Sequence, residues 1–132
     1  MSMPRTGPAE RPLSPHLSIY KPSITMVMSI LHRITGAALF FGTLLLVIYL
    51  VALAGGKASF EMVSGIYGSI LGKLVLFGYT WALFHHMLGG LRHLVWDTGA
   101  MLERETRMKL GWATGIGSAG LTLLVWFVYL MR

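Results

Sequence analysis

Three stretches of this sequence carry no Asp, Glu, Lys or Arg: the 23 residues 34–56, the 18 residues 74–91 and the 22 residues 110–131. At 1.5 Å per residue, helices over them reach roughly 34, 27 and 33 Å, against a bilayer hydrocarbon core of about 30 Å. The middle one is short by this measure. Its helix is therefore expected to begin earlier, near Tyr67, with Lys73 reaching towards the interface along its aliphatic stem. The apolar runs do not alternate as barrel strands do. The expected fold is all-α, an integral membrane anchor of three transmembrane helices near 29–54, 63–96 and 109–131, part of a larger helical bundle. Composition agrees: 55% of residues are hydrophobic and 12% charged, half the charge of a usual soluble domain, which excludes both a soluble globule and a disordered chain.

The charges that remain lie between the apolar runs. Arg5, Arg11, Lys21 and Arg33 precede the first, and Arg92, Arg104, Arg107 and Lys109 follow the second. Lys57, Lys73 and Arg132 fall on the other side. The positive-inside rule then puts the N-terminus in the cytoplasm. The net charge of +6 is explained by this topology rather than by nucleic acid, which needs one basic face. Residues 1–22 are a polar, Pro-rich cytoplasmic leader ahead of a three-helix domain over 23–132. Residues 55–62 are expected to form a short turn and 97–109 a charged connection. Cysteine is absent, which excludes disulfides, thiolate metal sites, Cys-ligated iron–sulfur clusters and c-type haem attachment on this chain.

Ionisable residues at membrane depth point to chemistry. His86 and His93 are seven apart and share a helix face two turns apart. Gly90, four after His86, removes bulk on that side, so that a flat macrocycle or a neighbouring helix could approach. Imidazole is a haem-iron ligand; it is equally a group that hydrogen-bonds between packed helices. His85 points about 100° away from His86 and is assigned to packing. Ser29, His32 and Arg33 sit together at the start of the first helix, offering a hydroxyl, an imidazole and a fixed cation. That set suits a quinone, whose carbonyl oxygens need donors and gain negative charge on reduction. It also suits a positive-inside flank. No P-loop, nucleophile elbow or HExxH motif occurs.

The run Arg11-Pro12-Leu13-Ser14-Pro15-His16-Leu17-Ser18-Ile19-Tyr20 resembles the entry segment of the cytochrome b subunit of succinate dehydrogenase, respiratory complex II. Ser29-Ile30-Leu31-His32-Arg33-Ile34-Thr35-Gly36 resembles that family's SxxHRxTG motif. His86-x-x-x-Gly90-x-Arg92-His93-Leu94-x-Trp96-Asp97 resembles its HxxxGxRHLxWD motif, and the three occur in the family's order. The resemblance implies that His86 is one axial ligand of haem b, the other coming from a second small membrane anchor subunit. It places His32, Arg33 and His93 near the haem propionates or the quinone pocket. It gives Ser29 and Arg33 a part in binding ubiquinone, with Asp97 shaping that region. The partners it implies are the second anchor, an iron–sulfur subunit, a flavoprotein subunit that oxidises succinate, ubiquinone and membrane lipid, with no nucleic acid. This chain then serves the enzyme without housing its succinate-oxidising core. The leader lacks an Arg/Ser-rich transit peptide, so the expected location is a bacterial inner membrane. His85, beside His86, departs from the pattern. The alternatives are the anchor of a quinol:fumarate reductase and a haem-free scaffold or transport subunit.

Overall fold

The structure, a computed structural model, describes Ser14, His16 and Tyr20–Arg132; most of the Pro-rich leader lies outside these residues. Four helices follow in order: α1 Ile24–Ala54, α2 Lys57–Gly68, α3 Ile70–Asp97 and α4 Arg104–Leu130. No strand occurs among the described residues. Helices α1, α3 and α4 are each long and apolar enough to cross a membrane, so the all-α, three-span expectation holds. At 31, 28 and 27 residues they run about 41–47 Å, the thickness of a bilayer with its headgroups.

The helix bounds differ from the sequence expectation in three places, each with a local cause. The first span begins at Ile24 rather than Ser29, because Ser23 takes the extended N-cap conformation directly after Pro22. The last begins at Arg104 rather than 109, where Glu105 of the exposed first turn pairs with Lys109 of the second at 2.8 Å. The largest change concerns the middle span. Residues 55–62 are not a short turn, and 63–96 is not one helix: α2 occupies Lys57–Gly68 and the chain breaks at Ser69. Ser69 is extended, and its Oγ accepts from the Gly72 backbone N–H at 3.1 Å while donating to the Ile66 carbonyl at 2.6 Å. One hydroxyl thus closes α2 and caps α3. The turn is tight enough that a Cβ at Gly72 would overlap the carbonyls of Ile66 and Tyr67, so only glycine fits.

The packed interior is polar and the outside apolar, the reverse of a soluble domain. Only Met28, Ala52 and Ala82 are buried hydrophobic residues among those described, whereas Thr35, His85, Arg92, Thr114, Ser118 and Thr122 are buried polar ones. In lipid such groups must be satisfied internally. Thr35, Thr114 and Thr122 do so by donating to the carbonyls of Leu31, Leu110 and Ser118 one turn back, at 2.8, 2.8 and 2.7 Å. Small residues let the helices approach, as is usual in membranes. Helix α3 packs between α1 and α4. Gly42 of α1 lies so close to Tyr79 of α3 that any Cβ would overlap the ring. Helix α2 packs against α1 and α3, and the Tyr67 hydroxyl donates to the Leu45 carbonyl at 2.6 Å. Phe40, Phe41, Leu44, Val47 and Val51 lie on the exposed surface of α1.

Candidate functional site

The antiparallel approach of α1 and α3 brings two imidazoles face to face. His32 and His86 stack with ring centroids 4.0 Å apart and planes inclined by 7°. Each ring lies over a glycine of the opposite helix. A Cβ at Gly89 of α3 would stand 2.5 Å from His32 Nδ1, and one at Gly36 of α1 would stand 2.9 Å from His86 Cε1. Neither residue tolerates a methyl group without moving a ring. His86 Nδ1 lies 3.1 Å from the His32 carbonyl oxygen. A carbonyl can only accept, so Nδ1 carries the proton and the Nε2 lone pair is left free.

His93 joins the same cluster, its ring 5.2 Å from His32 and 5.2 Å edge-on to Trp96. Three of the site histidines expected from sequence are therefore brought together. Ser29 is half-buried and Arg33 and Asp97 are exposed. These three make no hydrogen bond or ion pair among the described residues, and the structure records no contact joining them to the imidazole pair.

His85 points the other way, as its 100° offset requires. It is 1% exposed, with Nδ1 3.3 Å from Ser118 Oγ of α4 and its ring 5.2 Å from Trp81. The two neighbouring histidines thus serve two different interfaces: His85 the α3–α4 contact and His86 the α1–α3 contact. Arg92, counted in the sequence as a cytoplasmic flank charge, is buried at 5% exposure. Its guanidinium lies 5.0 Å over the Trp96 ring, a cation–π contact, while Nε and Nη1 have no hydrogen-bond partner.

Sequence reasoning missed both glycines of the imidazole pair. It chose Gly90, and nothing lies within 4 Å of a Cβ built there. The signal was present: Gly36 follows His32 by four residues, and Gly89 follows His86 by three, both same-face spacings. Among the described residues no three metal-ligating side chains converge, so a metal held by this chain would rest on one or two imidazoles.

Comparison with known proteins places the chain in a family. Residues 8–129 match the family described as succinate dehydrogenase/fumarate reductase transmembrane subunit. The succinate dehydrogenase cytochrome b556 subunit of Paracoccus denitrificans is 43% identical over 122 residues, covering 90% of this chain and 94% of that protein. The b556 subunit of Rickettsia conorii is 38% identical over 117 residues, covering 89% and 91%. The b560 subunit of Reclinomonas americana is 38% identical over 125 residues, covering 90% and 86%. With coverage of that extent in both directions, and with three apolar spans, the chain belongs to the family of succinate dehydrogenase/fumarate reductase transmembrane subunits.

Proposed function

We propose that this chain is a membrane anchor of succinate dehydrogenase that binds haem b and forms part of the site where ubiquinone is reduced. The observation that carries the haem reading is the hydrogen bond from His86 Nδ1 to the His32 carbonyl. An iron-ligating imidazole characteristically donates its second N–H to such an acceptor, which fixes the tautomer and raises the basicity of the ligating nitrogen. The surroundings fit a macrocycle: one turn from His86, a Cβ at Gly90 would meet nothing within 4 Å. In this reading His86 would hold the haem iron through Nε2, and the partner anchor would supply a second imidazole. His32 and His93, stacked and tilted against the same cluster, would hold the propionate side together with Arg33. When bound, haem b supplies a one-electron carrier beside the quinone site.

The chain's own residues then act on the quinone directly. Ser29 offers a hydroxyl donor for a carbonyl oxygen, and its position four residues before Arg33 puts both on one face of α1. The Arg33 guanidinium stabilises the negative charge that develops on that oxygen. Asp97, at the last turn of α3, borders the same end of the bundle. Reduction to the quinol consumes two electrons, delivered by the iron–sulfur partner, and two protons from the adjoining aqueous phase. With the N-terminus in the cytoplasm of a bacterial cell, all these groups lie on the side where the iron–sulfur and flavoprotein subunits dock. The relatives' names favour succinate oxidation over fumarate reduction. The test is Ser29→Ala and Arg33→Leu in the assembled complex. Losing one charge-assisted hydrogen bond is worth about 1.5–3 kcal/mol, so quinone reduction should slow about 10- to 150-fold. Succinate oxidation with an artificial acceptor that draws electrons upstream should persist. Normal ubiquinone rates in both assembled variants would refute the quinone assignment.

A further inference from the structure

At the end of the bundle opposite the imidazole pair, α2, the start of α3 and the end of α4 enclose a cleft of about 440 Å³. That is the size of a small-ligand site. Its polar groups are Lys73, Ser64, Thr80 and the hydroxyls of Tyr49, Tyr67 and Tyr129, and Leu76 and Val125 supply apolar wall. Most of these hydroxyls are not consumed by packing. Tyr67 is tied to the Leu45 carbonyl, and Thr80 receives the Trp126 indole N–H at 3.3 Å. Ser64 Oγ, in contrast, is buried without any partner. Lys73 stands in the first turn of α3, where the helix dipole already disfavours a cation. It has no ion pair, since the pairs among the described residues are Lys57–Glu61 and Glu105–Lys109. Glu61, the one acidic side chain that the sequence places at this end among the described residues, faces Lys57 at 3.8 Å rather than Lys73.

We propose that this cleft binds the phosphate headgroup of an anionic phospholipid, with Lys73 as its counter-ion. A partly buried cation at membrane depth is costly unless an anion meets it. No acidic side chain among the described residues pairs with Lys73 there, whereas the outer leaflet surface supplies phosphodiesters. The Tyr49 and Tyr129 hydroxyls and Ser64 Oγ donate to the remaining phosphate oxygens, and the acyl chain follows Leu76 and Val125. The combination of a single cation, several neutral donors and an adjoining apolar wall matches an amphiphile better than a free anion.

The assembled complex, delipidated in detergent, is titrated with phosphatidylglycerol or phosphatidylcholine, and bound lipid is read by native mass spectrometry. Wild type should retain phosphatidylglycerol in preference to phosphatidylcholine. Lys73→Gln should weaken phosphatidylglycerol about 10-fold or more, the scale of one lost charge-assisted hydrogen bond. Lys73→Arg should restore it, and Lys57→Gln, an exposed lysine of the same end, should leave it unchanged. Should the Gln variant fail to assemble, a photoactivatable phosphatidylglycerol added to the wild-type complex should label residues 73–80 and 125–129. Equal binding of the two lipids, undiminished binding by Lys73→Gln, or labelling elsewhere would overturn the proposal. So would a zero-length carboxylate cross-link from Lys73 to another subunit, which would make a protein acid the occupant.

Discussion

Gly36→Ala tests the imidazole pair where it is tightest. The new Cβ would lie 2.9 Å from His86 Cε1 and 3.4 Å from His86 Nδ1. Unstrained carbon–carbon contacts lie at about 3.5–4.0 Å, so the ring must retreat by roughly 0.6–1.1 Å. Retreat away from α1 also stretches the 3.1 Å bond from Nδ1 to the His32 carbonyl to the point of loss. Overpacking of this kind costs about 1–3 kcal/mol, and the lost hydrogen bond about 0.5–1.5 kcal/mol. Alanine returns about 0.8–1.0 kcal/mol of helix propensity. The net effect is a destabilisation of about 0.5–3.7 kcal/mol, concentrated on the side chain proposed to ligate iron. The assay is the thermal midpoint for loss of the haem absorption band in the assembled complex, with the band position recorded at low temperature. Gly36→Ala should lower the midpoint and perturb the band. Gly65→Ala, where a Cβ meets nothing within 4 Å, should do neither. A wild-type spectrum and midpoint in Gly36→Ala would refute the packing argument.

The remaining predictions concern two other helix interfaces. Ser118→Ala removes the partner of buried His85 and should destabilise the α3–α4 contact by about 0.6–1.7 kcal/mol, the range for hydrogen bonds between membrane helices. It should appear as a lower unfolding midpoint with an unchanged haem spectrum. Tyr67→Phe deletes the 2.6 Å bond that fastens α2 to α1, at about 0.5–1.5 kcal/mol. Faster amide hydrogen exchange confined to residues 57–68 is the expected result.

Much of the fold was legible because a bilayer imposes one dominant constraint, and the three charge-free runs declare it. The details that escaped depend on which face of a helix a residue occupies, and charge counting does not register that. Arg92 is the plainest case. As a charge it belongs to the cytoplasmic flank, yet it is buried over Trp96, a placement that the i, i+4 spacing of the two residues permits. The break at Ser69 was hidden for another reason. Apolar residues continue on both sides of it, and the interruption rests on one serine hydroxyl and on glycine at position 72. The candidate site was read at the level of its histidines, and the separate directions of His85 and His86 follow from helical geometry alone. Same-face reasoning within α3 selects Gly90, which leaves open space beside His86, and passes over the glycines on which the imidazole pair packs. The close contact with His32 is made by Gly89, three residues after His86, and only the crossing of α1 over α3 selects between them.

The central claim is that His86 supplies an axial ligand to haem b while its neighbour His85 only packs. The most direct measurement is the reduced-minus-oxidised optical spectrum, with low-temperature electron paramagnetic resonance, of assembled complexes carrying His86→Ala or His85→Ala. The account predicts that His86→Ala loses or alters the low-spin b-type signal, while His85→Ala keeps it at wild-type position and intensity per complex. A preserved signal in His86→Ala together with its loss in His85→Ala would contradict the assignment and move the ligand to the α3–α4 side of the bundle.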